Sequence, residues 1–421
     1  METESRKSIA LSGLFAASVI VSLGTFWCFQ RGADDFKVFY VAWQHVIHGN
    51  PMDIYRVSPD RFLYAPGFAW LLATLGWLPR GLSLALWCFG KAALVGWMVR
   101  AFSRRTSESD SVYAAGLAAW GVLLVARPIL IDFQYGQVNL LILSACVWAL
   151  LRHTDRSTST VPDFLSWMLA GIAAIAKLFP LPLLIVPFFV TSFKGQKLDP
   201  KKLWLERAGL ALGVALAVFV PVISVGWSGW FELMQQWRGA LIDRGFPLES
   251  HNQSFAAFLQ HYASGLPTEI IAQHRRQLSL GFAFLSSNSI QLLAAAWSFF
   301  FAGSILTWIL AKPVGIDLRS QVLRERWIAV IVGLLVLPSH LVWKPYFVMG
   351  LPAALMAVHY WNRRWPWLFA IGLLMNFSGF DTLGQEWGAR FEAASILLWC
   401  HLALLLASFT RSDAMISESR P

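Results

Sequence analysis

The sequence has few charged residues. Only 14% of its 421 residues are Asp, Glu, Lys or Arg, whereas a typical soluble domain has about 25%. Hydrophobic residues make up 57% of the chain, and apolar runs of about 17 to 25 residues recur from end to end. This composition excludes an ordinary soluble domain. The length of the runs predicts membrane-spanning helices rather than the short alternating segments of a β-barrel.

The sequence also lacks the motifs of several enzyme classes. It has no Walker motif, no glycine-rich dinucleotide motif, no His-Glu-x-x-His and no Asp-x-Asp in an aqueous segment. We therefore expect no nucleotide chemistry, no bound metal and no cofactor. The four cysteines lie inside apolar runs, without the spacing of metal ligands or an evident disulfide partner. Few charges interrupt the apolar runs, which argues against an ion-coupled transport path.

The basic residues are unevenly distributed, and this predicts the topology. Most of the 34 Lys and Arg residues fall in short gaps between alternate runs, so the net charge of +10 reflects a cytoplasmic bias rather than nucleic-acid binding. We predict an all-α polytopic membrane protein with both termini in the cytoplasm and a single domain over residues 1–421. The twelve predicted spans are about 8–29 (a retained signal anchor), 67–102 (interrupted at Leu78-Pro79), 111–128, 137–151, 163–178, 179–193, 207–226, 289–311, 327–341, 344–361, 366–380 and 391–409.

This topology leaves two long extracytoplasmic loops, at about residues 30–66 and 227–288. Loops of this length without a domain of their own are usually functional, and we expect amphipathic helices in both. Polar residues that topology does not explain concentrate in these loops and beside them. The sequence therefore predicts an active site on the extracytoplasmic face of a multi-pass protein, in a bacterial inner or plasma membrane.

An aromatic stripe follows the first span. Phe36, Tyr40, Trp43 and Ile47 recur at intervals of three and four residues, which is the spacing of one helix face. A helix of about 13 residues is too short to cross a bilayer. We therefore predict that it lies flat on the membrane surface, with its aromatic face at the depth of the lipid headgroups.

Two adjacent aspartates, Asp34 and Asp35, precede this stripe. Aspartate is a favoured N-cap, because its carboxylate accepts hydrogen bonds from the exposed backbone N–H groups of a helix start. One aspartate is enough for a cap. A second carboxylate at headgroup depth suits a general base that acts on a lipid-linked substrate. The residues alone leave both interpretations open.

Further polar candidates lie beside the predicted outer membrane edges. Each has a structural alternative, such as ion pairing, helix capping or snorkelling to the interface. A shared cavity explains them together, because amides and imidazoles suit hydroxyl-rich ligands and cations suit a phosphate. The candidates for substrate binding are Arg61, Tyr64, Gln137, Asn139, Lys177, His251, Asn252, Gln253, His340 and Lys344.

The order of these motifs resembles glycosyltransferase family 87, a family of multi-spanning GT-C enzymes. The similar segments are "DDFKVFYVAWQHVIHGNPMDIY", "RFLYAPGFAWLL", "GQVNLLIL", "AGIAAIAKLFPLPLLI", "NQSFAAFL" and "LPSHLVWKPYFVMGLPAAL", which cover most of residues 30–360. The family includes polyprenol-phosphate-mannose-dependent alpha-mannosyltransferases. The resemblance implies a GT-C-like bundle that transfers a hexose, with mannose favoured, from a polyprenyl-phosphate donor to a hydroxyl of a glycolipid or glycan.

The resemblance also implies roles for particular residues. The family places an aspartate ahead of an apolar residue, two variable positions and an aromatic residue, and this pattern aligns with Asp35 as the general base and Asp34 as the second choice. The implied reaction inverts the sugar without a metal. Family members often carry a histidine after the tryptophan of the late motif. Here Lys344 follows Trp343 and His340 precedes it, so a histidine role does not carry over directly.

A lipid or glycolipid flippase, or a transporter, is the alternative. It explains the predicted spans equally well but not the polar motifs on one side, because a transporter needs an alternating path through the membrane midplane. A transferase that uses another lipid-linked sugar also fits. In each case the predicted partners are membrane lipids and a lipid-borne sugar, not nucleic acid.

Overall fold

A computed structural model describes residues 2–56, 62–103, 111–155, 161–194, 196–244, 251–264, 268–269, 277–278, 285–311, 320–359 and 365–409. These residues are almost entirely helical, which confirms an all-α polytopic membrane protein. The α-helices are α1 (Glu2–Arg31), α2 (Asp34–Ile47), α3 (Pro66–Leu72), α4 (Arg80–Ser103), α5 (Ser111–Leu124), α6 (Ala126–Tyr135), α7 (Asn139–Thr154), α8 (Val161–Ala176), α9 (Val186–Phe189), α10 (Pro200–Phe219), α11 (Val222–Arg244), α12 (Phe255–Ala263), α13 (Ser287–Leu310), α14 (Gln321–Leu334), α15 (Leu351–His359), α16 (Trp365–Phe377), α17 (Phe380–Ala393) and α18 (Ile396–Phe409).

Short elements connect these helices. Two antiparallel hairpins pair β1 (Ser192–Phe193) with β2 (Gln196–Lys197), and β3 (Thr268–Glu269) with β4 (Gln277–Leu278). The 3₁₀ helices are Pro51–Asp53, Ala73–Trp77, Leu181–Ile185 and Lys344–Gly350. The core lies around α7, α14 and α15, whose described side chains are mostly buried.

Three helices are long and apolar enough to cross a membrane unaided: α1 from Ser8, α4 and α13. Three more candidates are helix pairs bent at a short break, namely α5 with α6 (72°), α10 with α11 (70°) and α17 with α18 (61°). By length and composition, the described residues therefore contain three spans, or up to six if each bent pair counts as one. Shorter apolar helices accompany them, and the number of twelve crossings stays a prediction.

The break predicted inside the second span is confirmed. The short helix α3 continues into a 3₁₀ helix, and α4 begins at Arg80, directly after Leu78 and Pro79. Proline lacks a backbone N–H, so it is tolerated at the start of a helix but not inside one. The chain therefore enters the bundle as a half-helix followed by a full-length helix.

The span predicted at 179–193 is wrong as a continuous helix. A 3₁₀ helix, Leu181–Ile185, is followed by the four-residue helix α9 and then by β1. Pro180, Pro182 and Pro187 explain the interruption, because each removes a backbone donor and restricts the residue before it. Hydrophobicity alone does not distinguish such a segment from a regular span.

The two ends of the bundle carry different polar contacts. At one end, the C-terminus of α7 meets the starts of α8 and α10, where His153 Nδ1 lies 2.7 Å from Glu206 Oε2 and Arg152 Nε lies 2.8 Å from Asp163 Oδ1. At the other end, α7 begins with Asn139, which belongs to the candidate site described below. We call the second end the site end.

The helix predicted in the first loop is confirmed as α2, but its predicted orientation is wrong. Phe36, Phe39 and Trp43 are fully buried against the protein rather than exposed to headgroups. The Phe36 ring centroid lies 5.8 Å from that of Trp87, and Phe39 lies 4.9 Å from Tyr64. An aromatic face at helical spacing suits a protein core as well as a lipid surface, and here these rings pack together.

Helices α8 and α10 cross with their backbones in contact. Gly209 and Gly213 lie four residues apart on α10, the small-residue spacing that lets two membrane helices approach closely. A Cβ atom on Gly209 would lie 2.1 Å from the carbonyl oxygen of Phe164, and one on Gly213 would lie 2.0 Å from that of Met168. A larger side chain therefore has to push the two helices apart.

Gly213→Val is expected to destabilise the folded protein by about 3 kcal/mol, because a backbone carbonyl cannot move aside as a flexible side chain can. Thermal unfolding in detergent, followed by tryptophan fluorescence, measures this loss. Gly303→Val is the matched control, since a Cβ atom at this glycine of α13 meets nothing within 4 Å. Equal melting temperatures for the two variants would contradict the close crossing.

Candidate active site

Six of the predicted site residues, Asp35, Gln137, Asn139, Lys177, His251 and Lys344, belong to two polar clusters at the site end, and the other described ones lie beside these clusters. We call the first the aspartate cluster, and it consists of Asp35, Lys91, Asp132, Gln137, Asn139 and Lys177. We call the second the glutamate cluster, and it consists of His251, Lys344 and Glu392. Arg61, which was also predicted to bind substrate, lies outside the described residues.

A sharp turn positions the two aspartates. Gly32 and Ala33 have φ angles of 83° and 49°, so the chain changes direction sharply between α1 and α2. Ala33 is the N-cap of α2, and its side chain offers no cap, so the interpretation of either aspartate as N-cap is wrong. Asp34 and Asp35 instead occupy the first turn, where the helix dipole favours carboxylates. Asp34 is exposed, whereas Asp35 is half-buried.

Gly136 brings the start of α2 against the end of α6. It terminates α6 with a φ angle of 68°, a conformation that glycine adopts readily. A Cβ atom here would lie 2.5 Å from the Cβ atom of Phe36. The Trp87 indole N–H donates to the Gly136 carbonyl at 2.9 Å and holds the turn from the other side. The next residue, Gln137, is thereby placed beside Asp35.

Gln137 and Asn139 link the charges of the aspartate cluster. The Gln137 amide nitrogen donates to Asp35 Oδ2, and its amide oxygen accepts from Lys177 Nζ at 3.3 Å. The Asn139 amide oxygen accepts from Lys177 Nζ at 2.8 Å, and its nitrogen donates to Asp132 Oδ2 at 3.1 Å. A carboxylate needs a donor and an ammonium needs an acceptor, so these charges dictate the orientation of both amides.

Lys91 and Asp132 form the inner end of the cluster. Both side chains are fully buried, and Lys91 Nζ lies 2.6 Å from Asp132 Oδ1 and 2.6 Å from the Asp132 carbonyl oxygen. Removal of one partner from such a pair leaves a buried charge that costs about 3–5 kcal/mol. We therefore assign this pair to support of the segment 132–139, not to contact with substrate.

Lys177 directly follows α8 and is surrounded by aromatic rings. Its Nζ atom lies 4.0 Å from the ring centroid of Tyr346 and 5.8 Å from that of Tyr64. Such cation–π contacts hold an ammonium group in place without neutralising it. Burial, and to a lesser degree the negative charge of Asp35, hold the pKa of Tyr64 well above its usual value. Tyr64 is therefore a neutral phenol beside the cation.

Glu392 is the centre of the second cluster. Its carboxylate is almost completely buried, with Oε2 2.7 Å from His251 Nδ1 and Oε1 bonded to the Lys344 ammonium. The Phe380 ring lies 5.4 Å from the His251 ring and 5.3 Å from Lys344 Nζ. His251 keeps about a third of its side chain exposed, so it is the member of this cluster that an incoming ligand meets first.

Two of the predicted amide ligands are used inside the protein. Asn252 donates to the His340 carbonyl and accepts from the Val342 amide, both at 3.1 Å, and the Gln253 amide donates to the Glu392 carbonyl. Both amide side chains are fully buried. His340 contributes its backbone carbonyl oxygen to this network, although the residue is exposed overall. The geometry assigns Asn252 and Gln253 to holding the loop that leads to Lys344.

The two clusters are neighbours. Lys344 and Tyr346, which contact Glu392 and Lys177 respectively, lie two residues apart in the 3₁₀ helix Lys344–Gly350. Tyr135, at the end of α6, interacts electrostatically with both Asp35 and Glu392. The site end therefore presents two neighbouring polar clusters, one with the Asp35 carboxylate and the Lys177 ammonium, the other with a carboxylate, an imidazole and a second ammonium.

Sequence reasoning missed several members of these clusters. Lys91 is a charge inside an apolar run, which is itself a signal of a polar partner or a functional site. Tyr346 lies within a motif that had been noted, but an aromatic residue there gives no reason to expect a cation contact. Glu392 belongs to no local motif, and only the fold brings it to Lys344.

Comparison with known proteins finds sugar transferases. The chain is 27% identical over 198 residues to an alpha-(1->3)-arabinofuranosyltransferase from Corynebacterium glutamicum, a match that covers 45% of this chain and 42% of that protein. The matched region is therefore less than half of either protein. No solved structure matches the chain. The model of glycosyltransferase family 87 matches residues 62–304, which is more than half of the 421 residues. The chain therefore belongs to glycosyltransferase family 87.

Proposed function

We propose that this protein is a membrane glycosyltransferase that moves a sugar from a polyprenyl-phosphate donor to an acceptor hydroxyl, with Asp35 as the general base. One observation carries this proposal: Gln137 joins the Asp35 carboxylate to the Lys177 ammonium. A base and a cation held side by side are what such a transfer requires. The acceptor must lose a proton while the phosphate of the donor gains charge.

The reaction is a single displacement. Asp35 takes the proton of the acceptor hydroxyl, whose oxygen attacks the anomeric carbon opposite the phosphate. The bond between that carbon and the phosphate oxygen breaks, and the electron pair stays on the polyprenyl phosphate, so the sugar inverts. The leaving phosphate is already ionised and needs charge stabilisation rather than a proton. The Lys177 ammonium, on a half-buried residue, supplies that stabilisation.

An apolar groove of about 640 Å³ supports a lipid-linked donor. It begins at Leu178, the residue after Lys177, and follows α11 past the exposed side chains of Phe231 and Ile242. A phosphate at Lys177 therefore leaves its hydrocarbon chain beside this groove. The lining is mostly apolar, with Gln235 and Arg238 as its polar members, so the groove binds the isoprene units mainly through apolar contact, which suits a chain of repeated units.

We assign the glutamate cluster to the acceptor, because it adjoins the donor cation through the 3₁₀ helix Lys344–Gly350 and keeps His251 partly exposed. His251 and Lys344 present hydrogen-bond donors, and both are held by Glu392. Hydroxyl groups of a glycolipid or glycan are suitable partners for these groups. The proposed site faces the extracytoplasmic side, with both termini in the cytoplasm, on the strength of the distribution of basic residues.

Glu392→Gln is expected to raise the KM for the acceptor about tenfold, because His251 and Lys344 lose the charge that orients them, and to change the KM for the donor little. Steady-state kinetics with each substrate varied in turn measures the difference. Glu386→Gln is the matched control on the same helix, since Glu386 is exposed and pairs only with Arg390 among the described residues. A rise in the donor KM alone would place the glutamate cluster on the donor side.

The identity of the sugar requires a direct test. The family resemblance favours mannose, whereas the relative named above transfers arabinofuranose by its name. Purified protein is supplied with polyprenyl-phosphate-mannose or polyprenyl-phosphate-arabinofuranose together with a membrane glycolipid extract, and the product mass distinguishes a hexose from a pentose. We expect transfer from one of these donors. Transfer from a nucleotide sugar, without any polyprenyl-phosphate sugar, would contradict the proposal.

A further inference from the structure

Helices α1 and α5 pack closely along their length, whereas α4 packs on α5 and contacts α1 only sparsely. A Cβ atom on Gly13 of α1 would lie 2.2 Å from the Gly116 carbonyl oxygen of α5, so these two backbones are in contact. The glycine of α4 that faces this region makes no such backbone contact, because a Cβ atom on Gly96 would meet nothing within 4 Å. The space between α1 and α4 is therefore left open over the surface of α5.

This space is a groove of about 710 Å³. Small side chains line most of it, including Ala17 and Ser18 of α1, Ala92 and Gly96 of α4, and Ala119 of α5. Its volume lies in the range of ordinary small-molecule pockets. The lining is apolar along its length, since the Ser18 hydroxyl is already bonded to the Leu14 carbonyl in its own helix.

One end of the groove carries a positive charge. Arg100, in the last turn of α4, lines the groove together with Ser103, and it is exposed. Among the residues that the structure describes, no acidic side chain forms an ion pair with Arg100. An apolar groove that ends at an exposed guanidinium is complementary to one hydrocarbon chain attached to a phosphate, because guanidinium binds phosphate oxygens in a bidentate manner.

We propose that this groove, the α1–α4 groove, binds one anionic glycerophospholipid, with an acyl chain between α1 and α4 and its phosphate at Arg100. The lipid fills the gap that the packing of α1 on α5 leaves open. Its headgroup lies at the end of the bundle opposite the site end.

The same geometry separates this lipid from the sugar donor. Lys91 of α4 belongs to the aspartate cluster at the site end, and Arg100 follows nine residues later. Arg80, the first residue of α4, donates to the Gly32 carbonyl at the site end, and the twenty residues from Arg80 to Arg100 span about 30 Å of helix. The two ends of α4 therefore lie towards opposite membrane surfaces. A phosphate at Arg100 therefore belongs to the leaflet opposite that of a donor whose phosphate lies at Lys177. The bound lipid is a structural partner of the protein rather than a substrate.

Native mass spectrometry of the full-length protein tests this proposal. Detergent-purified protein is titrated with phosphatidylglycerol and, separately, with phosphatidylcholine of the same acyl chains. We expect one phosphatidylglycerol to bind about tenfold more tightly than phosphatidylcholine, because only the first has a net negative headgroup for Arg100. Arg100→Gln is expected to abolish that preference.

Gly96→Leu is expected to eliminate the bound lipid, because a Cβ atom at Gly96 meets nothing within 4 Å and the leucine side chain therefore extends into the groove that Gly96 lines. Gly90→Leu is the matched control: Gly90 also lies on α4 with open space around its Cβ position, but it does not line the groove. Ser18→Leu fills the groove from α1 and replaces Gly96→Leu if that variant does not fold. Both groove variants should lose the lipid, and the Gly90 variant should keep it.

Three results would overturn the proposal. The first is unchanged phosphatidylglycerol binding in both groove variants. The second is equal binding of the two phospholipids by the parent protein, which leaves Arg100 without a role. The third is a co-purified polyprenyl phosphate that the groove variants lose, which would assign the α1–α4 groove to the sugar donor.

Discussion

Asp35→Asn is expected to lower the turnover number for sugar transfer about 10³-fold, since general bases contribute roughly 10²- to 10⁴-fold to such reactions. Asparagine has nearly the same shape as aspartate and retains an oxygen that accepts from the Gln137 amide. The variant should therefore fold and bind the donor, and lose only the ability to take a proton. Transfer from a polyprenyl-phosphate sugar at saturating donor, with donor binding measured separately, distinguishes the two effects.

Asp34→Asn is the matched control for this change. Asp34 precedes Asp35 in the same helical turn but is exposed, so its replacement should change the rate by no more than about twofold. Full activity in the Asp35 variant would remove Asp35 as the base. An inactive Asp34 variant beside an active Asp35 variant would move the base by one residue along α2.

Lys177→Met is expected to lower the turnover number about 10²-fold and to raise the KM for the donor. The ammonium attracts the phosphate of the bound donor, and it attracts this phosphate more strongly once the bond to the sugar has broken and the phosphate has gained charge. Methionine retains much of the apolar stem, so the contact with Tyr346 persists while the charge is lost. The measurement is the donor dependence of the transfer rate.

Lys37→Met is the control for the loss of one positive charge near the site, since Lys37 is an exposed residue of α2. It should leave both kinetic constants within about twofold of the parent values. Equal losses in the two lysine variants would indicate a general electrostatic effect rather than a phosphate contact at Lys177. An unchanged rate in the Lys177 variant would require another cation to stabilise the phosphate.

The sequence predicted the architecture well where a pattern has one physical meaning. Long apolar runs had to be helices, and Pro79 had to interrupt the second of them. Gln137 and Lys177 were singled out because polar groups at a membrane edge are costly without partners. The structure joins Gln137 to Asp35 and Lys177 to Gln137.

Other features could not be predicted because one pattern has two physical outcomes. The stripe of Phe36, Phe39 and Trp43 has the same spacing whether it faces lipid or protein, and only the position of Trp87 decides that it is buried. The role of Glu392 depends on a contact across about 140 residues of chain with His251. No local signal in a single sequence encodes such a contact.

The bridge through Gln137 has a consequence for the timing of the proposed reaction. While Asp35 is ionised, its negative charge partly offsets the field of Lys177, to which a single amide connects it. Once Asp35 accepts the proton of the acceptor, that opposing charge is gone, and the full field of the ammonium acts on the phosphate. The Gln137 side chain therefore couples deprotonation of the acceptor hydroxyl to stabilisation of the leaving phosphate. A donor that binds without an acceptor meets a Lys177 ammonium whose field is still partly offset by ionised Asp35. Such gating would protect the lipid-linked sugar from wasteful hydrolysis.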